Sequence, residues 1–177
     1  MEELLQVYDE QGNILDPLPR SVVHQKPLKH WHGVVNVWLV NDNGDILVTK
    51  RSDTVTGNPN KWQTFLGGHI PAGMTHKVTA VKELKEEVGL SIDPDNLYLI
   101  DKGKAAHSDH LHFYESYAYL YNGLVKDLVF EDGEIVSAKW LSLEQYNQER
   151  SSSPQDWCNG CNEENQKRIR LWLSKFK

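Results

Sequence analysis

The sequence predicts a layered α/β domain, and three observations carry that expectation. Two valine-rich runs, Gly33–Val40 (GVVNVWLV) and Asp45–Arg51, flank the turn signal Asn41–Asp45 (NDNGD) and read as a buried hairpin. Apolar residues then recur at helical spacing at Val81, Leu84 and Val88. A second helical period closes the sequence, where Glu163–Phe176 presents Ile169, Trp172, Leu173 and Phe176 on one side. Strands with one central and one terminal helix pack as layers around a shared core.

Taken in order, Leu4–Gln25 reads as a small hairpin turning at Asp9–Asn13, and Asp16–Pro19 redirects the chain into a segment carrying His24, His30 and His32. In the strand after NDNGD, Ile46 and Val48 fall on one side and Leu47 and Thr49 on the other. Ser52–Lys61 is a polar loop that delivers Trp62, Thr64 and Leu66 to a Gly67–Gly68 turn. Thr75 is placed to cap the central helix and Gly89 to end it in the left-handed conformation. Leu97–Ile100 predicts a short strand, and His107–Tyr121 (HSDHLHFYESYAYLY) a single strand with one wet face. Phe130–Gly133 turns into a strand over Ile135–Leu141. Ser142 and Gln145 form a capping-box pattern for a short helix, and Ser151–Pro154 (SSSP) is the most linker-like stretch. It is too short to divide domains. The expectation is one domain over 1–177, with 1–30 as an N-terminal hairpin and approach and 151–177 as a C-terminal helical extension.

With 177 residues, 39% of them hydrophobic, the chain can bury a real core. Its net charge of −6 argues against non-specific binding to nucleic acid or to anionic membranes. An anionic substrate therefore needs local cations, from metal or from clustered Lys and His. The start, MEELLQVYDEQG, lacks a basic region followed by an apolar run, and no run of about 18 apolar residues exists. These features predict a cytoplasmic protein, a monomer or homodimer, with neither nucleic acid nor membrane as partner. The only cysteines, Cys158 and Cys161 in WCNGC, lack both a second CxxC and the strand–helix context of redox motifs, and read as an incidental or structural pair, with metal binding as the alternative.

The chemistry concentrates in Gly67–Leu90, GGHIPAGMTHKVTAVKELKEEVGL. Glu83, Glu86 and Glu87 lie three or four residues apart on a helix, away from the apolar stripe. Like charges so spaced repel by roughly 0.2–0.5 kcal/mol per pair, which a cation would relieve. Carboxylates on a rigid helix beside a Gly/Pro loop suit Mg²⁺ or Mn²⁺. Lys50 and Arg51 end a strand near this stretch and are candidates for phosphate oxygens, while Trp31, Trp38 and Trp62 are candidates to stack on a planar ring.

The stretch resembles the Nudix box, Gx5Ex7REUxEExGU. Gly68, Glu83, Leu84, Glu86, Glu87, Gly89 and Leu90 match it, whereas Met74 replaces a Glu and Lys82 an Arg. The resemblance implies a Nudix-type α/β/α sandwich with a mixed β-sheet over roughly residues 30–150, and a divalent-metal-dependent hydrolase of a diphosphate linkage in a nucleoside diphosphate derivative or similar small metabolite. It implies Glu83, Glu86 and Glu87 as metal ligands and catalytic carboxylates, with Lys50, Arg51, Trp62, Gly67, Gly68 and Lys82 around the substrate. Glu131 and Glu134 occupy the region that brings a further carboxylate in such hydrolases. Lys82 keeps the charge of Arg without its planar fork, and Met74 removes one carboxylate, so a weakened nucleotide- or diphosphate-binding module is the alternative.

The upstream pattern VVNVWLVNDNGDILVTKRS, NPNKWQ and GGHIPAG resembles the branch containing isopentenyl-diphosphate isomerase and its hydrolase relatives. That isomerase carries a catalytic Cys where this chain has Gly67, which leaves an isomerase-like enzyme as a further alternative. The same branch holds a divalent metal with histidines and strand carboxylates. The matching positions here are His24, His32 and His69, with His110 and His112 two apart on a strand, and they imply a second site for a transition metal such as Zn²⁺ or Mn²⁺.

Overall fold

A computed structural model of the chain describes residues 2–107, 110–130, 133–158 and 160–176, with the side chains of His110 and Phe176 outside the description. Among them lies an eight-stranded mixed sheet with helices on both faces. The strands are β1 (Leu4–Tyr8), β2 (Ile14–Pro19), β3 (Trp31–Val40), β4 (Ile46–Arg51), β5 (Trp62–Gln63), β6 (Tyr98–His107), β7 (His110–Leu120) and β8 (Ile135–Leu141). The helices are the single turn α1 (Arg20–Val23), the central α2 (His76–Val88), α3 (Leu143–Ser152) and α4 (Glu163–Leu173).

β3 is the axis of the sheet. It runs parallel to β7 from His32 to Val40 and antiparallel to β1 at Val7–His32 and Tyr8–Trp31. Alternation sends Val35, Val37 and Leu39 towards α2, where they meet Ala80, Leu84 and Val88. Trp38 and Val40 go to the other face, against Tyr146, Ile169, Trp172 and Leu173 of α3 and α4. Both faces are covered, so the strand reads in sequence as a nearly continuous apolar run. Leu84 is wholly buried, and truncating it to Ala would cost about 2–5 kcal/mol.

The expected hairpins and caps form. Thr75 Oγ1 accepts from the Val78 amide at 3.3 Å. Gly89 is left-handed at φ 73°, and Leu90 N donates to Leu84 O at 3.0 Å, closing the helix as a glycine C-cap does. Ser142 and Gln145 make the reciprocal capping box.

Three expectations need correction. The short strand at Leu97–Ile100 is the start of β6, which continues to His107 and pairs with β7 throughout. Asp101–Ala106 has weak strand propensity, and pairing to the aromatic β7 overrides it. His107–Tyr121 is therefore not one strand: His107 ends β6 opposite His110, which opens β7. Ser151–Pro154 is no linker, because α3 runs on through Ser152, whose hydroxyl donates to the Gln148 carbonyl at 2.9 Å. No helix among the described residues is long and apolar enough to cross a membrane.

Candidate functional site

Residues Leu66–Ile70 lie along β3 like an extra strand. Val37 and Val35 donate to the Leu66 and Gly68 carbonyls at 2.7 and 2.9 Å, and Ile70 donates to Gly33 O at 3.0 Å. This pairing presses the Gly67–Gly68 turn between β3 and α2, where side chains do not fit. At Gly67, with φ +150°, a Cβ would overlap the Val35 carbonyl oxygen. A Cβ on Gly68 would stand 2.9 Å from the Glu83 carboxylate. The glycines are there because carboxylates and backbone take the space.

α2 aims two of its glutamates at this turn. Glu87 is buried and accepts from the Gly67 amide at 2.7 Å, and Glu83 lies against Gly68 with little exposure. Glu86 points outward, half exposed, and pairs with Lys82. Lys82 also reaches Glu83 at 3.4 Å, so one ammonium bridges two of the three carboxylates. Burial raises the Glu83 pKa above the usual carboxylate range; Lys82 opposes that shift and Glu86 adds to it. Such a set, two carboxylates at the turn and a third at its rim, only partly neutralised by Lys82, is suited to a hard divalent cation.

Beside the turn, three histidines converge from separate elements. His24 follows α1, His32 lies on β3 and His69 follows Gly68; their ligating nitrogens fall within 4.8 Å of one another. Ring centroids are 4.7 Å apart for His24–His69 and 5.1 Å for the other two pairs. Burial, helped by Arg20 and the neighbouring imidazoles, lowers the His69 pKa to about 3, and burial and Arg20 also lower that of His24. Three convergent imidazoles, of which burial favours the neutral form at His24 and His69, fit a transition metal by the chemistry of the donor set. His112 stands next to them, 5.9 Å from His32 between centroids, outside the closed group of three. The His110 side chain and Glu131 lie outside the described residues.

The remaining expected site residues are placed differently. Arg51 donates to Gly57 O at 2.8 Å and to Gln63 Oε1 at 3.2 Å, and lies 3.8 Å from Glu134, so it braces its own loop. Trp62 packs against Trp157 under the Lys139 ammonium. Neither these two nor Lys50 hydrogen-bonds to the box carboxylates among the described residues. Trp38 is buried, with its indole N–H on Thr64, and is core rather than a stacking surface. Both cysteines are free, and burial raises the Cys158 thiol and pushes Cys161 up to about 12, which suits structure rather than redox work.

Arg20 was not foreseen. It pairs with Glu3 at 2.8 Å, close enough to His24 and His69 to shift them, while Glu3 acts in turn on Glu83. Its only sequence signal is its position one helical turn before His24.

The NUDIX domain model matches residues 30–157. An uncharacterized Nudix hydrolase of Listeria innocua is 29% identical over 123 residues, covering 68% of this chain and 69% of the relative. One of Clostridium acetobutylicum is 31% identical over 99 residues, 54% of this chain, which spans only 47% of that relative's length. The isopentenyl-diphosphate Delta-isomerase of Cutibacterium acnes is 27% identical over 56% of this chain and 49% of its own. Among solved structures, DR0079 from Deinococcus radiodurans shares the fold with a TM-score of 0.72 at 20% identity, covering 96% of this chain and 98% of its own.

Proposed function

The chain belongs to the NUDIX domain family, and on that premise we propose that it hydrolyses the diphosphate linkage of a nucleoside diphosphate derivative or a similar small metabolite. The observation that carries this reading is the convergence of Glu83 and Glu87 on the Gly67–Gly68 turn. In the proposal Glu83, Glu86 and Glu87 hold Mg²⁺ or Mn²⁺, and the His24, His32 and His69 set, with His112 beside it, takes a second, transition-metal ion. When bound, such an ion would supply charge to neutralise diphosphate oxygens and would lower the pKa of water beside it. The water oxygen forms a new bond to phosphorus as the bridging P–O bond breaks, and its proton passes to a carboxylate of the trio. Gly67 and Gly68 let the turn pack directly against the β3 backbone and the Glu83 carboxylate, which keeps the carboxylates beside the turn. Arg20 and Lys82 supply cations beside the leaving oxygens, and Lys50 is the remaining cation of the β4–β5 side to meet the rest of the substrate.

Lys82 bridging Glu83 and Glu86, with Met74 where a carboxylate would be, favours a second reading as a diphosphate-binding module. Phosphate release from nucleoside diphosphates, dinucleotides and nucleotide sugars, with Mg²⁺ and with Mn²⁺, separates the two. Turnover supports the hydrolase; tight binding without release, restored by Met74→Glu, supports the module. Exchange of substrate C–H protons in deuterated water, the mark of an isomerase, is not expected, since the Gly67 backbone leaves no room for a cysteine.

A further inference from the structure

A second concavity opens at the far end of α2, about 15 Å of helix rise away from Glu86. It has a volume of about 420 Å³ and lies between the β1–β2 hairpin, the paired strands β6 and β7, and the first residue of α2. Tyr8, His76, Lys102, Lys104, Phe113 and Glu115 line it. Pockets that take small organic ligands span about 300–1,000 Å³.

The groove is braced from several sides. Lys102 and Lys104 are two apart on β6, so they share a face, opposite Glu115 and Phe113 of β7. The Phe113 ring meets Tyr8 edge-on at 5.6 Å and lies 5.2 Å from Trp31. Lys104 stands 5.2 Å over Trp31 and donates to the Glu10 carbonyl at 3.2 Å, which pins the hairpin to β6. At the base, Glu115 accepts from the Tyr117 hydroxyl and acts electrostatically on Tyr8 and His76. The chain carries a net charge of −6, yet neither Lys102 nor Lys104 forms an ion pair with a carboxylate among the described residues.

Aromatic faces flanked by two ammonium groups recognise a flat ring with an anionic arm. A carboxylate at the base adds an acceptor for a ring amine. We propose that this groove is a second ligand site, distinct from the Glu83–Glu87 carboxylates, for a planar heteroaromatic ring carrying a phosphate. The ring lies against Phe113 and Tyr8, an exocyclic amine donates to Glu115, and the phosphate meets Lys102 and Lys104.

The test is an amide and side-chain NMR titration of the full chain in EDTA, with adenosine monophosphate, adenosine and inorganic phosphate as separate probes. The monophosphate is expected to shift resonances of Tyr8, Lys102, Lys104 and Phe113, and to do so equally in Glu83→Gln. Lys102→Gln with Lys104→Gln should weaken binding about tenfold. Because Lys104 also holds the Glu10 carbonyl, Lys102→Gln alone, which leaves that hydrogen bond intact, should weaken binding in the same direction, and the melting curve of each variant reads any loss of fold. Adenosine and phosphate alone should bind more weakly than the monophosphate. The proposal is overturned if no groove resonance moves at millimolar ligand, if the shifts confine themselves to Gly67–Gly68 and Glu83–Glu87, or if the double variant or adenosine binds as well.

Discussion

The two donor groups beside the Gly67–Gly68 turn are assembled in opposite ways. The carboxylates come from little more than one turn of α2, carry charge, and are partly neutralised by Lys82 from the same turn. The imidazoles come from the end of α1, from β3 and from the loop after Gly68. Burial keeps His69 neutral down to about pH 3. A charged oxygen set suits a hard cation, whereas a neutral nitrogen set suits a borderline transition metal. Adjacent sites can thus differ in metal preference because one was built by local spacing and the other by chain convergence.

The comparison breaks most readily at Glu83. Glu83→Gln should lower diphosphate hydrolysis by about a hundredfold or more with no loss of thermal stability, measured by phosphate release and a melting curve. Retained activity would move the chemistry to the histidines. Glu87→Ala should abolish turnover and also destabilise the fold by about 1–3 kcal/mol, because the Gly67 amide loses its acceptor. Urea denaturation reads that second effect. His69→Ala should strip the purified protein of bound zinc or manganese by elemental analysis, yet reduce Mg²⁺-supported turnover by less than about tenfold.

The smallest effect is on acid stability in EDTA. Unfolded His69 takes a proton near pH 6.5, whereas the folded imidazole stays neutral to about 3. Its contribution is therefore present above pH 6.5 and is lost as pH falls below it. Between pH 6.5 and 5 the protein should lose about 1.6 kcal/mol more than His69→Gln does, by urea denaturation at each pH. Equal slopes would mean that His69 is not buried as described.

Much of the box was readable because its parts are close in sequence. Thr75, Leu84, Val88 and Gly89 specify a helix of known length and phase, and that phase places Glu83 and Glu87 together. The β3–β4 hairpin was equally plain from its apolar runs and its NDNGD turn. β6 was largely hidden, because Asp101–Ala106 gains strand structure only by pairing with β7. The pairing of Arg51 with its own loop was hidden too, as was that of Arg20 with Glu3, since long cations choose partners in space.

The sequence alone determined the α/β class, the central helix with its caps, the bare glycine turn and the carboxylate spacing, because each rests on local periodicity and local backbone preference. The family resemblance named His24, His32 and His69 together, but only the tertiary structure brought them within reach of one another, set Glu87 on the Gly67 amide and gathered lysines and aromatic rings at the far end of α2. Those outcomes depend on which strands lie side by side, and strand pairing is settled by burial across the whole core, which no short window of residues encodes.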